Sequence, residues 1–279
     1  ALVVIATGVN WPDALGGSAL AGAVEGPLLL TKPGELPSAV VAEITRLGAK
    51  DAYILGGTAA ITQAVEDALN ATLSGTVTRI AGPNRYGTAN LVADAVINLR
   101  GSAFSGGAYI ATGDNFPDAL GASPLAASSA TPILLAKPDG TPYLPSKVDS
   151  AVILGGPAAV TPATEAAVRA ELGTSNVTRV GGSDRYDTAA KVADHGVAHG
   201  MHWDGVGFAT GLEFPDALSG GAMLGQMDSV LLLTKQASLV PPARQRITEH
   251  ADDIYTVYFI GGTAAVSQTV RDEVASLIE

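Results

Sequence analysis

Two textures of apolar and polar residues alternate along the chain. Short unbroken apolar runs, such as residues 2–6, end on Thr-Gly or Gly-Gly pairs, and longer stretches with apolar residues at helical spacing follow them. A short run with no polar face predicts a strand covered on both sides. The first part of the chain therefore reads as strands at residues 2–6, 27–31, 52–55 and 77–80. Between them come helices at 14–24 and 37–47, one through Val65, Ala68, Leu69 and Leu73, and one opened by Arg85-Tyr86 that carries Leu91, Val92 and Val96. The punctuation agrees. Pro12 suits a first helical turn, where no amide hydrogen is needed, and Asp13 in the same turn complements the helix dipole. Thr62 is a capping residue, and Gly48 lies just past a helix end.

Strands that alternate with helices of this length require crossover connections, which predicts an α/β fold with mainly parallel sheets covered on both faces. The pattern also repeats. The stretch Thr-Gly, two variable residues, an aromatic and Pro-Asp-Ala-Leu recurs at 6–15, 111–120 and 209–218. The repeated unit is thus roughly 100 residues long, a small domain and not a solenoid turn. The third copy stops after Gly261-Gly262 and a helix over 267–278, without the fourth strand or the Arg-Tyr helix. A unit that begins at Arg79 and Arg179 gives modules 1–78, 79–178 and 179–279, the first lacking its opening segment. In the second unit only about 18 residues separate Leu135 from Ile153, against about 24 from Leu30 to Ile54, so a helix there is trimmed and should lie on the outside. Each module alone would be marginally stable, so the three are expected to pack together.

Composition narrows the function. No apolar run approaches the roughly 18 residues of a membrane span, and no basic segment precedes an apolar one at the start, so a soluble chain without membrane insertion is expected. The absence of cysteine removes disulfides, thiolate catalysis and Cys-ligated zinc. A net charge of −11 argues against nucleic acid, whose phosphates require an excess of cations on one face. An anionic partner would need a local basic site.

Such a site is suggested by register. Among 16 Lys and Arg residues, Lys32, Lys137 and Lys235 follow the second strand of each unit, and Arg79, Arg179, Arg85 and Arg185 recur in the two complete Arg-Tyr segments. With the Thr-Gly and Gly-Gly turns they fall at the carboxyl edge of parallel strands, where open α/β sheets bind ligands. The Arg positions could equally serve internal ion pairs. Asp13, Asp118 and Asp216 could be catalytic, but a seat beside a helix-initiating Pro explains them structurally. The Gly-Gly pairs lack a G-x-G-x-x-G or Walker lysine and read as tight turns. His195 and His199 have the spacing of two metal ligands without a recognisable third, so no metal and no cofactor is expected. Trp11, Phe116 and Phe214 read as packing residues.

The combination Arg-x-x-Gly-x-x-Arg-Tyr-x-Thr-Ala at 79–89 and 179–189, with [F/W]-P-D-A-L and Gly-Gly-x-Ala-Ala-[V/I], resembles the cell wall binding repeat type 2 family over essentially the whole chain. The resemblance implies Toprim-like or Rossmann-like modules packed with pseudo-threefold symmetry, in an extracellular protein held noncovalently on a Gram-positive cell wall. It implies an anionic secondary wall polymer as partner, in a groove lined by the leucine strands (Leu29, Leu134, Leu232) and basic residues. Together with the register argument this gives Lys32, Lys137, Lys235, Arg85, Arg185, Tyr86 and Tyr186 as candidate polymer contacts and no catalytic residue. A bridging divalent cation would serve as well. The competing expectations are a hydrolase of wall glycan or phosphate built on the three Asp residues, and a structural or adhesion platform that binds no polymer.

Overall fold

The computed structural model describes residues 1–137 and 140–278. Three sheets form in succession. The first contains β1 (Leu2–Thr7), β2 (Leu28–Thr31), β3 (Asp51–Leu55) and β4 (Val77–Ile80). The second contains β5 (Gly107–Thr112), β6 (Ile133–Ala136), β7 (Ser150–Leu154) and β8 (Val177–Val180), and the third β9 (His202–Thr210), β10 (Ser229–Thr234) and β11 (Thr256–Phe259). All pairings between these strands are parallel, in the orders β2-β1-β3-β4, β6-β5-β7-β8 and β10-β9-β11. The register repeats too: Leu29 lies opposite Ile5, Leu134 opposite Ile110 and Leu232 opposite Phe208.

The helices are α1 (Gly17–Ala23), α2 (Ser38–Arg46), α3 (Gln63–Thr72), α4 (Arg85–Arg100), α5 (Pro117–Gly121), α6 (Ser123–Ser128), α7 (Pro162–Leu172), α8 (Arg185–Val197), α9 (Pro215–Gly225), α10 (Pro241–Glu249) and α11 (Gln268–Ile278). Three local departures from the sequence pattern have physical causes. Pro12 and Asp13 lie in a turn ahead of α1, because Gly16-Gly17 weakens the first helical turn. Pro117 and Pro215, in contrast, do open their helices. In the second module the helix is split into α5 and α6 at Pro124, which lacks the amide needed to continue the ladder. No helix stands between β6 and β7 among the described residues, whereas α2 occupies that place in the first module and buries only Ile44, as an outer element would.

Helices α1, α6 and α9 meet pairwise at the centre. Small residues permit this. A Cβ on Gly22 would run into the backbone of Ala127, one on Gly221 into Ser123, and one on Gly225 into the Pro124 carbonyl. The largest core accordingly draws on all three modules, with Leu15, Leu120, Leu218, Val92 and Val192 among its members. Two satellite cores lie under the outer faces of the first and second sheets. Nearby, the Phe116 ring lies 6.0 Å from Trp11 and 6.2 Å from Phe214. One aromatic from each module thus joins a chain of tilted rings, the geometry that ring quadrupoles favour. Three like modules round a shared centre give the pseudo-threefold arrangement.

The Arg-Tyr helices act as wedges between modules. Helix α4 lies between α1 of the first module and β6 of the second, and α8 lies between α5 of the second and β10 of the third. The strands that precede them, β4 and β8, pair back into the sheet of the module before. The unit of sequence beginning at Arg79 or Arg179 therefore straddles two units of space.

Candidate functional site

Because the strands are parallel, the Thr-Gly turns, the three lysines and the Gly-Gly turns sit at the carboxyl edge of each sheet. The Gly-Gly turns are formed by residues that must be glycine. Gly56, Gly155 and Gly261 hold φ of +96, +94 and +98°, and a Cβ on any of them would collide with the carboxylate of Asp13, Asp118 or Asp216 respectively. Each repeated Asp is therefore packed into the turn that follows the third strand. Asp118 lies at a cleft with Arg185 and Thr188. Burial pushes its carboxyl above the usual carboxylate range, while a Thr188 hydrogen bond and the Arg185 charge oppose that shift.

The arginines divide into two groups. Arg79 and Arg179, on β4 and β8, each donate to the first Gly-Gly carbonyl, at 2.8 Å to Gly56 and 2.7 Å to Gly155. Each also pairs with a largely buried carboxylate at 2.7 Å, Glu66 for Arg79 and Glu165 for Arg179. Two guanidinium groups on Glu165, those of Arg169 and Arg179, hold its carboxyl below the usual range. Arg85 and Arg185 reach instead into the following module, where each donates to the carbonyl of its Thr-Gly turn at 2.6 Å, Gly113 and Gly211. Arg85 also lies over the Trp11 ring, 4.7 Å from its centroid. These bonds occupy one edge of each guanidinium and lock neighbouring modules together.

The lysines are not equivalent. Lys32 is neutralised by Glu35 at 2.9 Å, on an exposed loop. Lys235 is exposed and has no ion-pair partner among the described residues. Lys137 lies over the Tyr86 ring, 5.4 Å from its centroid, in a cleft of about 380 Å³ that Tyr143, Asn84, Asn90 and Thr141 also line. The Tyr86 hydroxyl donates to Asp114 at 3.3 Å and that of Tyr143 to Asp94 at 3.1 Å, so both rings are fixed. A second cleft, of about 360 Å³, opens beside it at the end of β7. Asp118, Arg185, Thr188, Ser183 and Asn115 face it.

The structure corrects the leucine strand and one tyrosine. Leu134 and Leu232 are fully buried in the core and cannot line a groove, whereas Leu29 is half-buried. Tyr186 is buried too, its ring against Gly211. In β6 and β10, covered on both faces, the leucine position has no side left for a ligand. His195 and His199 lie with ring centroids 4.1 Å apart, and burial followed by the neighbouring His199 charge lowers the His195 pKa. Among the described residues no group of three His, Cys, Asp or Glu could hold a metal, and no helix is long and apolar enough to cross a membrane. Sequence reasoning missed Tyr143, which sits in the trimmed stretch of the second module, and Arg271, which occupies the register position of Glu66 and Glu165. The aligned Gly-Gly-x-Ala-Ala turns would have exposed that charge reversal.

Residues 1–66, 79–165 and 179–271 match the cell wall binding domain 2 family. The amidase enhancer of Bacillus subtilis (strain 168) is 32% identical over 265 residues, which are 94% of this chain and 35% of that protein. The N-acetylmuramoyl-L-alanine amidase LytC of the same organism is 27% identical over 276 residues, 97% of this chain and 52% of the relative. The chain therefore spans between about a third and about half of the curated relatives it matches. Among solved structures, Cwp6 and Cwp8 from Clostridium difficile share the fold with TM-scores of 0.83 and 0.84 at 23% and 22% identity. The chain is covered over 100% and 99% of its length and covers 44% and 47% of theirs.

Proposed function

The chain belongs to the cell wall binding domain 2 family, and from that premise we propose that it is a non-catalytic module that anchors a longer, exported protein on the bacterial cell wall by binding an anionic wall polymer. The observation that carries the polymer reading is the Lys137 ammonium held over the Tyr86 ring in an open cleft. An aromatic face orients a cation without cancelling its charge, whereas the Glu35 carboxylate at Lys32 cancels it. The neighbouring aromatic and amide side chains suit the faces and hydroxyls of sugar rings. Arg185 faces the adjoining cleft and has donors left for a second anionic group. An overall acidic protein can bind an anionic chain this way because a few placed cations suffice, and several weak sites in one chain gain by avidity.

Binding to purified walls, measured before and after chemical stripping of the secondary polymer, tests the proposal. Binding should fall with the polymer, and equal binding to stripped walls would overturn the polymer assignment.

One observation favours a hydrolase instead: Asp118, its pKa raised by burial, lines a cleft with Arg185, the placement a general acid needs. Its copies Asp13 and Asp216 occupy the same turn contacts, which makes packing the shared role. Release of soluble wall fragments by this chain alone, lost in Asp118→Asn, would establish the hydrolase and displace the anchoring reading.

A further inference from the structure

The amino end of the second sheet, opposite the edge that holds Lys137 and Asp118, carries a cavity of about 430 Å³. It lies where β5, β7 and β8 begin, bordered by the ends of α6 and α8, and its size suits a small molecule. The repeat shows how it arises. Tyr109 of β5 stands three residues ahead of Thr112, as Val4 does ahead of Thr7 and Gly207 ahead of Thr210. Its neighbour on the adjoining strand is Val152, where the first module has Tyr53 and the third Tyr258. Tyr53 and Tyr258 pack on the largest core, and in the first module Val4, Val24 and Ala95 join them there. In the second module the ring has moved to the neighbouring strand, and a valine stands in its former place.

Around that place apolar residues give way to polar ones. Ser129 replaces Val24 and Met227, and His195 and His199 stand where the first Arg-Tyr helix has Ala95 and Leu99. Ser105, Ser150, Asn176 and Thr178 add hydroxyl and amide groups. The exchange gives up apolar packing that the first module keeps. The polar groups are also ordered. Burial pushes the Tyr109 hydroxyl up to about 12, against an opposing hydrogen bond with Ser129, so it stays a neutral donor. The Ser129 hydroxyl in turn donates to the Leu125 carbonyl at 2.7 Å and lies 2.9 Å from that of Thr131. His199 Nδ1 donates to the His195 carbonyl at 2.7 Å, which leaves Nε2 of the neutral ring as an acceptor. Burial, and then the His199 charge, lowers the His195 pKa and keeps that imidazole largely neutral at pH 7. Among the described residues that line the cavity, none is Lys, Arg, Asp or Glu.

We propose that this cavity binds one uncharged sugar unit of the wall. A charged group would give up hydration here without meeting an opposite charge. A pyranose instead presents hydroxyls that both donate and accept, as the Tyr109, Ser129 and imidazole groups do. Val152, Leu125 and Ala108 supply apolar surface for the ring carbons or for an acetamido methyl. Strand β5, six residues long, holds this end of the sheet about 20 Å from the clefts at the carboxyl edge. The proposal rests on the wall-binding reading only for the source of the sugar, and its failure would leave the role of Lys137 untouched.

The four histidines make the test direct. Titration of the full chain with N-acetylglucosamine or glucose at about pH 7.5, where imidazoles are mostly neutral, is read from the ring signals by NMR. Those of His195 and His199 should shift saturably, and that of His250, stacked 4.4 Å from Trp203, should not. Val152→Tyr puts back the ring of the other modules and should raise the half-saturating concentration at least about tenfold. Should that variant not fold, His199→Leu decides in its place. It restores the first module's residue at an exposed position and should weaken binding about threefold, read on His195. No saturable shift with either sugar, or unchanged binding in the folded variant, overturns the proposal. Tighter binding of glucuronate than of the neutral sugars overturns it too. Released wall glycan and released secondary polymer, each added as competitor, separate the two sources of such a sugar, and failure of both to displace it overturns the wall assignment.

Discussion

The first and third modules solve one problem with opposite charges. In the first, the Gly56 carbonyl at the tight turn takes a hydrogen bond from Arg79, which arrives on the fourth strand and is held by Glu66. In the third there is no fourth strand among the described residues, and Arg271, at the register position of Glu66, makes the equivalent bond to Gly261 from α11. What is shared is the need of a carbonyl for a guanidinium. The residue that meets it is free to move when the surroundings change. The same holds for Lys32 and Lys137, equivalent in register, one neutralised by a carboxylate and the other seated on an aromatic ring.

The largest expected effect separates the two solutions. Arg79→Met leaves Glu66 largely buried without its cation and removes the donor to Gly56, which should cost about 2–3 kcal/mol. Arg271→Met leaves no carboxylate stranded and should cost about 1 kcal/mol. Urea titrations of the two variants check this, and equal losses would erase the distinction.

Next comes binding. Lys137→Ala should weaken attachment to purified walls about threefold to fivefold, the loss of a cation worth somewhat under 1 kcal/mol, and Lys32→Ala less than about twofold. A co-sedimentation assay distinguishes them. A larger loss at Lys32 would reverse the comparison.

The smallest effect belongs to Asp118, the repeated Asp of the second module, and depends on pH. The folded state raises the Asp118 pKa, so it holds that proton more tightly than the unfolded chain. This group's contribution to stability therefore rises as pH falls through the folded pKa toward the ordinary aspartate value, and is level below it. Glu165 and Asp187, held low, act in the other direction, losing their contribution as pH falls through their folded pKa values. Measured from pH 7 to pH 4, the stability of Asp118→Asn relative to the parent chain should fall, because only the parent gains from the tighter-held proton. A rise over the same range would show that the folded state does not hold the Asp118 proton more tightly.

Much of the fold was legible because its signals are local. Unbroken apolar runs, Thr-Gly and Gly-Gly stops and helical spacing follow from backbone chemistry, and threefold recurrence multiplied each signal. The candidate site was legible only in part. Register placed Lys137 at the carboxyl edge, but Tyr143, which precedes Leu144-Pro145-Ser146 as Glu35 precedes Leu36-Pro37-Ser38, stands further along the chain from its lysine than Glu35 does, and no local pattern announced that it shares the lysine's cleft. The Arg-Tyr motif was visible as a motif. Its role as a wedge, with Arg85 bonded to a turn 28 residues further on in the next module, was not.

The sequence by itself determined the number of modules, the parallel α/β construction and the edge on which the polar repeats stand, because periodicity and turn chemistry act between residues close along the chain. Only the tertiary structure decided that Leu134 and Leu232 are core, that the three lysines differ, that Arg271 replaces Arg79, and that the second module holds a cavity where the first packs Tyr53. Those outcomes depend on which modules face each other and at what rotation, and on the close approach that small residues at the centre allow. Three copies of one pattern cannot record this, since each copy meets different neighbours.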